Sequence, residues 1–129
     1  MRKIFLITAI CSALMACNTT ADLNRGQGTS FVVEGKSYDQ IWKAAHKFSS
    51  YQLALTLADK ETGTIKGEKP STMWSAGEVV GVFITKSPIK ADAYIVEVQN
   101  KKVLTTNIMA TDWTNTFING IKLELEEVK

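Results

Sequence analysis

The chain has 129 residues, 45% hydrophobic and 22% charged, which is enough for one small domain burying about two thirds of its surface and no more. Its 15 basic and 13 acidic residues give a formal net charge of +2, and no lysine or arginine run exceeds two residues, Lys101-Lys102 being the one in the body. Nucleic acid therefore has no electrostatic footprint here.

The N-terminus carries Arg2 and Lys3, then an apolar run over residues 4–14, then Leu14-Met15-Ala16-Cys17. A basic start, an apolar stretch of about 7–15 residues and a small residue at the cut describe an export signal. The run is too short to span a bilayer, which takes about 20 residues. With Cys17 directly after Leu-Met-Ala, the arrangement resembles the bacterial lipoprotein signal. That resemblance implies cleavage between Ala16 and Cys17, fatty acylation of Cys17 and a membrane held through that lipid. Two other readings stay open: a secretory signal cut near Ala16 that leaves Cys17 a free thiol, and an uncleaved signal anchor. Cleavage before Cys17 leaves 113 residues, and because Arg2 and Lys3 depart, 13 basic residues face 13 acidic ones. Cys11 is discarded and Cys17 carries lipid, so the mature domain holds together by packing alone in an oxidising compartment. Asn18 follows the lipidated position, where by resemblance to enterobacterial lipoproteins it implies the outer membrane.

Residues 17–30 read as the lipidated cysteine and a flexible tether, since Thr19, Thr20, Asn24, Gly26, Gln27 and Gly28 carry no apolar period. A free segment of that length averages roughly 20 Å end to end. Residues 31–129 then read as a single domain. Residues 31–33 are β-branched and aromatic and form a short strand ending at Gly35. Ser37-Tyr38-Asp39-Gln40 has capping-box spacing. It opens a helix with Tyr38, Ile41, Trp42, Ala45 and Phe48 on one face and Lys43, His46, Lys47 and Ser50 on the other.

Period two follows. Leu53, Leu55 and Leu57 alternate with polar or small residues, Asp59-Lys60-Glu61-Thr62-Gly63 makes a turn, and residues 64–68 return antiparallel. Residues 78–85 are apolar on both faces, the mark of a central strand. Residues 93–99 and 102–109 read as a hairpin turning at Asn100-Lys101. Thr111 or Asp112 then caps a second helix with Trp113, Phe117, Ile121 and Val128 as its stripe and Ile118 and Leu125 at the margin. The predicted order is β-α-β-β-β-β-β-α. It makes an α+β domain with a mostly antiparallel sheet and both helices on one face, Trp42, Phe48, Trp113 and Phe117 lying between.

Several features together resemble the small helix-grip domains of envelope lipoproteins, such as those of the C component of the outer-membrane β-barrel assembly machinery. They are the lipidated cysteine, the helix opening on Ser37-Tyr38-Asp39-Gln40-Ile41-Trp42, the turn from Asp59 to Gly63-Thr64-Ile65, and the closing helix beginning Asp112-Trp113. The likeness covers residues 31–129 and rests on caps, turns and core aromatics. This chain has one such domain and lacks the long unstructured N-terminal region of that component, so its role is not carried over.

Chemistry has little local support. His46 is the sole histidine and falls on the polar face of its helix, where a surface role is the default. No HExxH, CxxC, GxSxG or P-loop spacing occurs. Ser87-Pro88-Ile89-Lys90 matches S-x-x-K, but it follows a strand and no partner motif accompanies it. No catalytic residue, metal ligand or cofactor is expected. Met73 and Trp74, in the connection over residues 69–77, are candidate contacts for a partner protein or the bilayer, with Trp74 as a core lid the competing reading. The expected function is a non-enzymatic accessory or scaffold of the cell envelope, lipid-anchored and facing the periplasm. The alternative is a binder of a small apolar ligand in a cavity between helix and sheet lined by Trp42, Phe48 and Phe83.

Overall fold

A computed structural model describes residues 17–73, 76–104 and 111–129. Strands β1 (Thr29–Glu34), β2 (Ala54–Asp59), β3 (Thr64–Lys69), β4 (Glu78–Lys86) and β5 (Ala93–Lys102) form one sheet in the order β1-β5-β4-β3-β2, every neighbouring pair antiparallel. Helix α1 (Tyr38–Gln52) joins β1 to β2, and α2 (Thr114–Glu127) closes the chain. The α+β class and the two-helix, antiparallel architecture are those the sequence predicts.

The local signals act as their chemistry dictates. Ser37 accepts from the Gln40 amide while the Gln40 side chain accepts from the Ser37 amide, so the capping box closes on itself. Gly63 holds φ +67 in the β2–β3 turn, and a Cβ there would stand 2.5 Å from the Ile84 carbonyl oxygen. Only glycine meets both conditions.

Both helices cover one face of the sheet. Ile41, Ala44 and Ala45 of α1 and Phe117, Ile118, Ile121 and Leu125 of α2 pack on Val33, Ile65, Val80, Val82, Ile84, Val96 and Val98. The helices meet where Phe48 stands edge-on to Phe117, 5.2 Å between ring centroids, over Gly120. A Cβ on Gly120 would lie 2.0 Å from that ring, so a bare backbone is what lets the helices close up. Ile118 and Leu125, expected at the margin, are buried, while Trp42, Phe48 and Trp113 are only partly buried at its edge. Ser49 is fully buried in α1 with a hydroxyl that makes no hydrogen bond among the described residues. Ser49→Ala removes that desolvated group and gains helix propensity, so it stabilises the domain by about 1 kcal/mol, read by chemical denaturation.

Three elements depart from expectation. The hairpin at Asn100-Lys101 is not formed. β5 runs through both residues, which pair with Val80 and Val79. Their polarity serves neighbours instead of a turn: Asn100 accepts from the Trp113 amide at 3.4 Å, and Lys101 donates to the Asp22 carbonyl at 2.9 Å. Most of the expected sixth strand lies outside the described residues. In β2 the register slips between Leu55 and Leu57, a bulge that turns Leu57 to the face away from the helices, where it is 44% exposed. Finally, α2 begins at Thr114, and Trp113 occupies the cap position without a side-chain bond.

Candidate functional site

The face of the sheet opposite the helices is where residues 22–28 go. On that side β4 presents Val79, Gly81 and Phe83, and β5 presents Glu97, Gln99 and Lys101. Bare apolar strand surface needs a cover. Leu23 supplies it, 1% exposed and packed with Val79 and Phe83.

Polar groups fix the segment around that plug. Thr19 and Asp22 close a capping box on a single 3-10 turn, Thr20–Asp22. The three alternate side chains of β5 then grip every second residue of the segment. Lys101 holds the Asp22 carbonyl, Gln99 accepts from the Asn24 amide at 2.7 Å, and Glu97 accepts from the Gly26 and Gly28 amides at 2.7 Å each. Arg25 lies over the Phe83 ring, 5.4 Å to its centroid, and donates to the carbonyls of Ile84 and Thr62.

Residues 18–28 are therefore a strap across the sheet and not the flexible tether the composition suggests. Composition misled because the segment's polar side chains and glycine amides are bonding partners for a strand distant in sequence. One signal was available. A strand apolar on both faces, with both helices on one side, requires something apolar opposite, and Leu23 is the one large aliphatic residue in the stretch.

The strap begins at one end of the sheet. Cys17 is exposed with a free thiol and bridges Leu104, and the Asn18 amide donates to the Val103 carbonyl at 2.8 Å. The Asn18 side chain donates to the Lys102 carbonyl at 2.9 Å, and the Val103 amide to the Gly77 carbonyl at 3.1 Å. The β3–β4 connection thus shares this end with Cys17. Its Met73 is 89% exposed. Trp74 and Ala16 lie outside the described residues, so the question of Trp74 as lid or contact falls there too.

The His46 ring stacks on Trp42 at 5.8 Å, and the Ser50 hydroxyl donates to the His46 carbonyl. An open groove of about 720 Å³ runs along the outer side of α1 past Trp42, His46, Tyr51 and Lys60. It is not the cavity between helix and sheet, since Phe83 lies on the opposite face of the sheet from Trp42 and Phe48. Among the described residues, no group of three or more histidine, cysteine or acidic side chains could hold a metal ion. No described helix is long and apolar enough to cross a membrane. No family model matches this chain, and no curated protein matches it.

Proposed function

We propose that this chain is a bacterial envelope lipoprotein, cut between Ala16 and Cys17, acylated on Cys17 and acting as a non-enzymatic accessory to an envelope protein complex. The observation that carries the reading is the sequence Leu14-Met15-Ala16-Cys17 behind a basic, then apolar, N-terminus. Two features of the domain support it. The Cys17 thiol is exposed, as an acylation site has to be. The space between helices and sheet is filled by side chains such as Ile41, Phe117 and Val98, which favours a scaffold over a ligand cavity. The outer membrane as its location, with the domain in the periplasm, rests on the resemblance at Asn18, whose side chain also has a structural use at Lys102. The resemblance to helix-grip envelope domains is consistent with an antiparallel sheet bearing both helices on one face.

Mass spectrometry of the protein extracted from bacterial envelopes tests the proposal. The N-terminal peptide is expected to begin at Cys17 and carry fatty acyl chains, and Cys17→Ser to accumulate as uncleaved precursor. An unmodified thiol at position 17 overturns it. Crosslinking in intact envelopes then identifies the partner complex.

A further inference from the structure

The strap gives the proposed anchor a fixed geometry. A free tether over residues 18–30 would leave roughly 20 Å of slack between lipid and domain. Here the first bond to the sheet is made by Asn18, one residue from Cys17, so the acylated sulfur is held within a few ångströms of the folded surface.

The two ends of the sheet can then be told apart. Cys17, Val103, Leu104 and Gly77 mark one end, where Met73 projects from the β3–β4 connection. The other end carries the β4–β5 connection, closed by the bond from the Ser87 amide to the Ala93 carbonyl, and there Ile89 projects. Met73 at 89% and Ile89 at 91% are the most exposed large hydrophobic side chains of the described residues. β4, which links the two ends, has nine residues and spans roughly 30 Å.

We infer that the Cys17 end of the sheet rests on the bilayer that takes the acyl chains, with Met73 entering the headgroup layer as a second contact and the Ile89 loop held roughly 30 Å above it. This inference rests on the acylation proposed above. A bilayer is the occupant because so short a link leaves no room for a protein between this end and the lipid. An unbranched, adaptable methionine suits the disordered acyl boundary. Lys102, exposed at the same end, adds attraction to anionic headgroups. Asp112, also exposed there, has its carboxylate engaged by the Thr114 amide.

The test uses the acylated full-length protein in vesicles of phosphatidylethanolamine and phosphatidylglycerol. With Cys17 consumed by lipid, Met73→Cys or Ile89→Cys provides a single thiol for an environment-sensitive fluorophore. A probe at 73 is expected to shift to the blue and be quenched severalfold by headgroup-labelled nitroxide lipid, while a probe at 89 stays unquenched. Inserting a Gly/Ser linker of about ten residues between Cys17 and Asn18 restores slack and should abolish the quenching at 73. Equal and negligible quenching at both positions, on protein whose mass confirms the acyl chains, overturns the bilayer contact and leaves the anchor standing. Quenching at 73 that survives the linker overturns the strap as the orienting element. A mass without acyl chains on Cys17 overturns the anchor itself, and this inference with it. A probe at 73 that is unquenched in vesicles but shielded in native envelopes reassigns this end to a protein partner.

Discussion

Leu23→Ala is expected to lower the melting temperature by roughly 10 °C, although the residue lies in the most polar part of the chain. Leu23 is 1% exposed, and truncating a buried leucine costs about 2–5 kcal/mol through lost transfer energy and the cavity left behind. The strap can settle into some of that space, so the lower half of the range applies. Were residues 18–28 a free tether, the same change would fall within about 0.5 kcal/mol of neutral, as surface substitutions do. Differential scanning calorimetry separates those outcomes without ambiguity. Glu97→Ala attacks the strap from the sheet side by deleting the acceptor of two amide bonds at 2.7 Å. Hydrogen exchange should then show the Gly26 and Gly28 amides losing protection well before those of β4, because the strap is the last layer on that face. Leu23 and Glu97 touch the same short segment, so their effects should fall short of additive.

What could be read from the sequence was whatever depends on near neighbours. The α1 cap needs only Ser37 and Gln40, three residues apart, and the β2–β3 turn only the glycine at its end. Both helices follow from apolar spacing. What escaped depends on partners far along the chain. The strap is written in Glu97, Gln99 and Lys101, which lie 69 to 79 residues beyond the amides and carbonyl they hold. Asn100-Lys101 has turn composition, yet a long antiparallel pairing with β4 outweighs that local preference. Leu57 obeys the period-two pattern until the bulge beside it shifts every later residue of β2 to the other face. The candidate site was half legible. The proposal at Cys17 was legible because the residues that carry it, Leu14-Met15-Ala16-Cys17, are adjacent. Its fixed place against Val103 and Leu104 was not, because that comes from the strap.

Glu78→Ala should be as damaging as the loss of Leu23, by a different route. Thr111 or Asp112 was expected to cap α2; the cap position is held by Trp113, which makes no side-chain bond to the helix, while Asp112 one residue earlier accepts from the Thr114 amide at 2.9 Å. The entry to the helix is tied instead to the first residue of β4. Glu78, 4% exposed, accepts from the Thr111 amide at 3.0 Å and from the Trp113 indole N–H at 3.3 Å. Its register partner Lys69 places its ammonium 4.0 Å over the Trp113 ring, so the cation sees both the carboxylate's side of the sheet and the indole face. Removing the carboxylate strands two donors in a half-buried site at about 1–3 kcal/mol each, for a total of roughly 3 kcal/mol. Glu78→Gln keeps one acceptor oxygen and should lose about half as much. Asp112 offers a second, pH-sensitive hold: bonding to Thr114 keeps its carboxyl below the ordinary value of 3.8. A depressed carboxyl stabilises above its unfolded pKa, and its contribution fades as pH falls through the lower folded value. The start of α2 should therefore loosen in acid more readily in Glu78→Ala than in the parent, because the Glu78 attachment is already gone. Equal acid sensitivity of the two proteins, followed through Trp113 fluorescence with Trp42 and Trp74 replaced by Phe, would mean that Glu78 and Asp112 do not share in holding the start of α2.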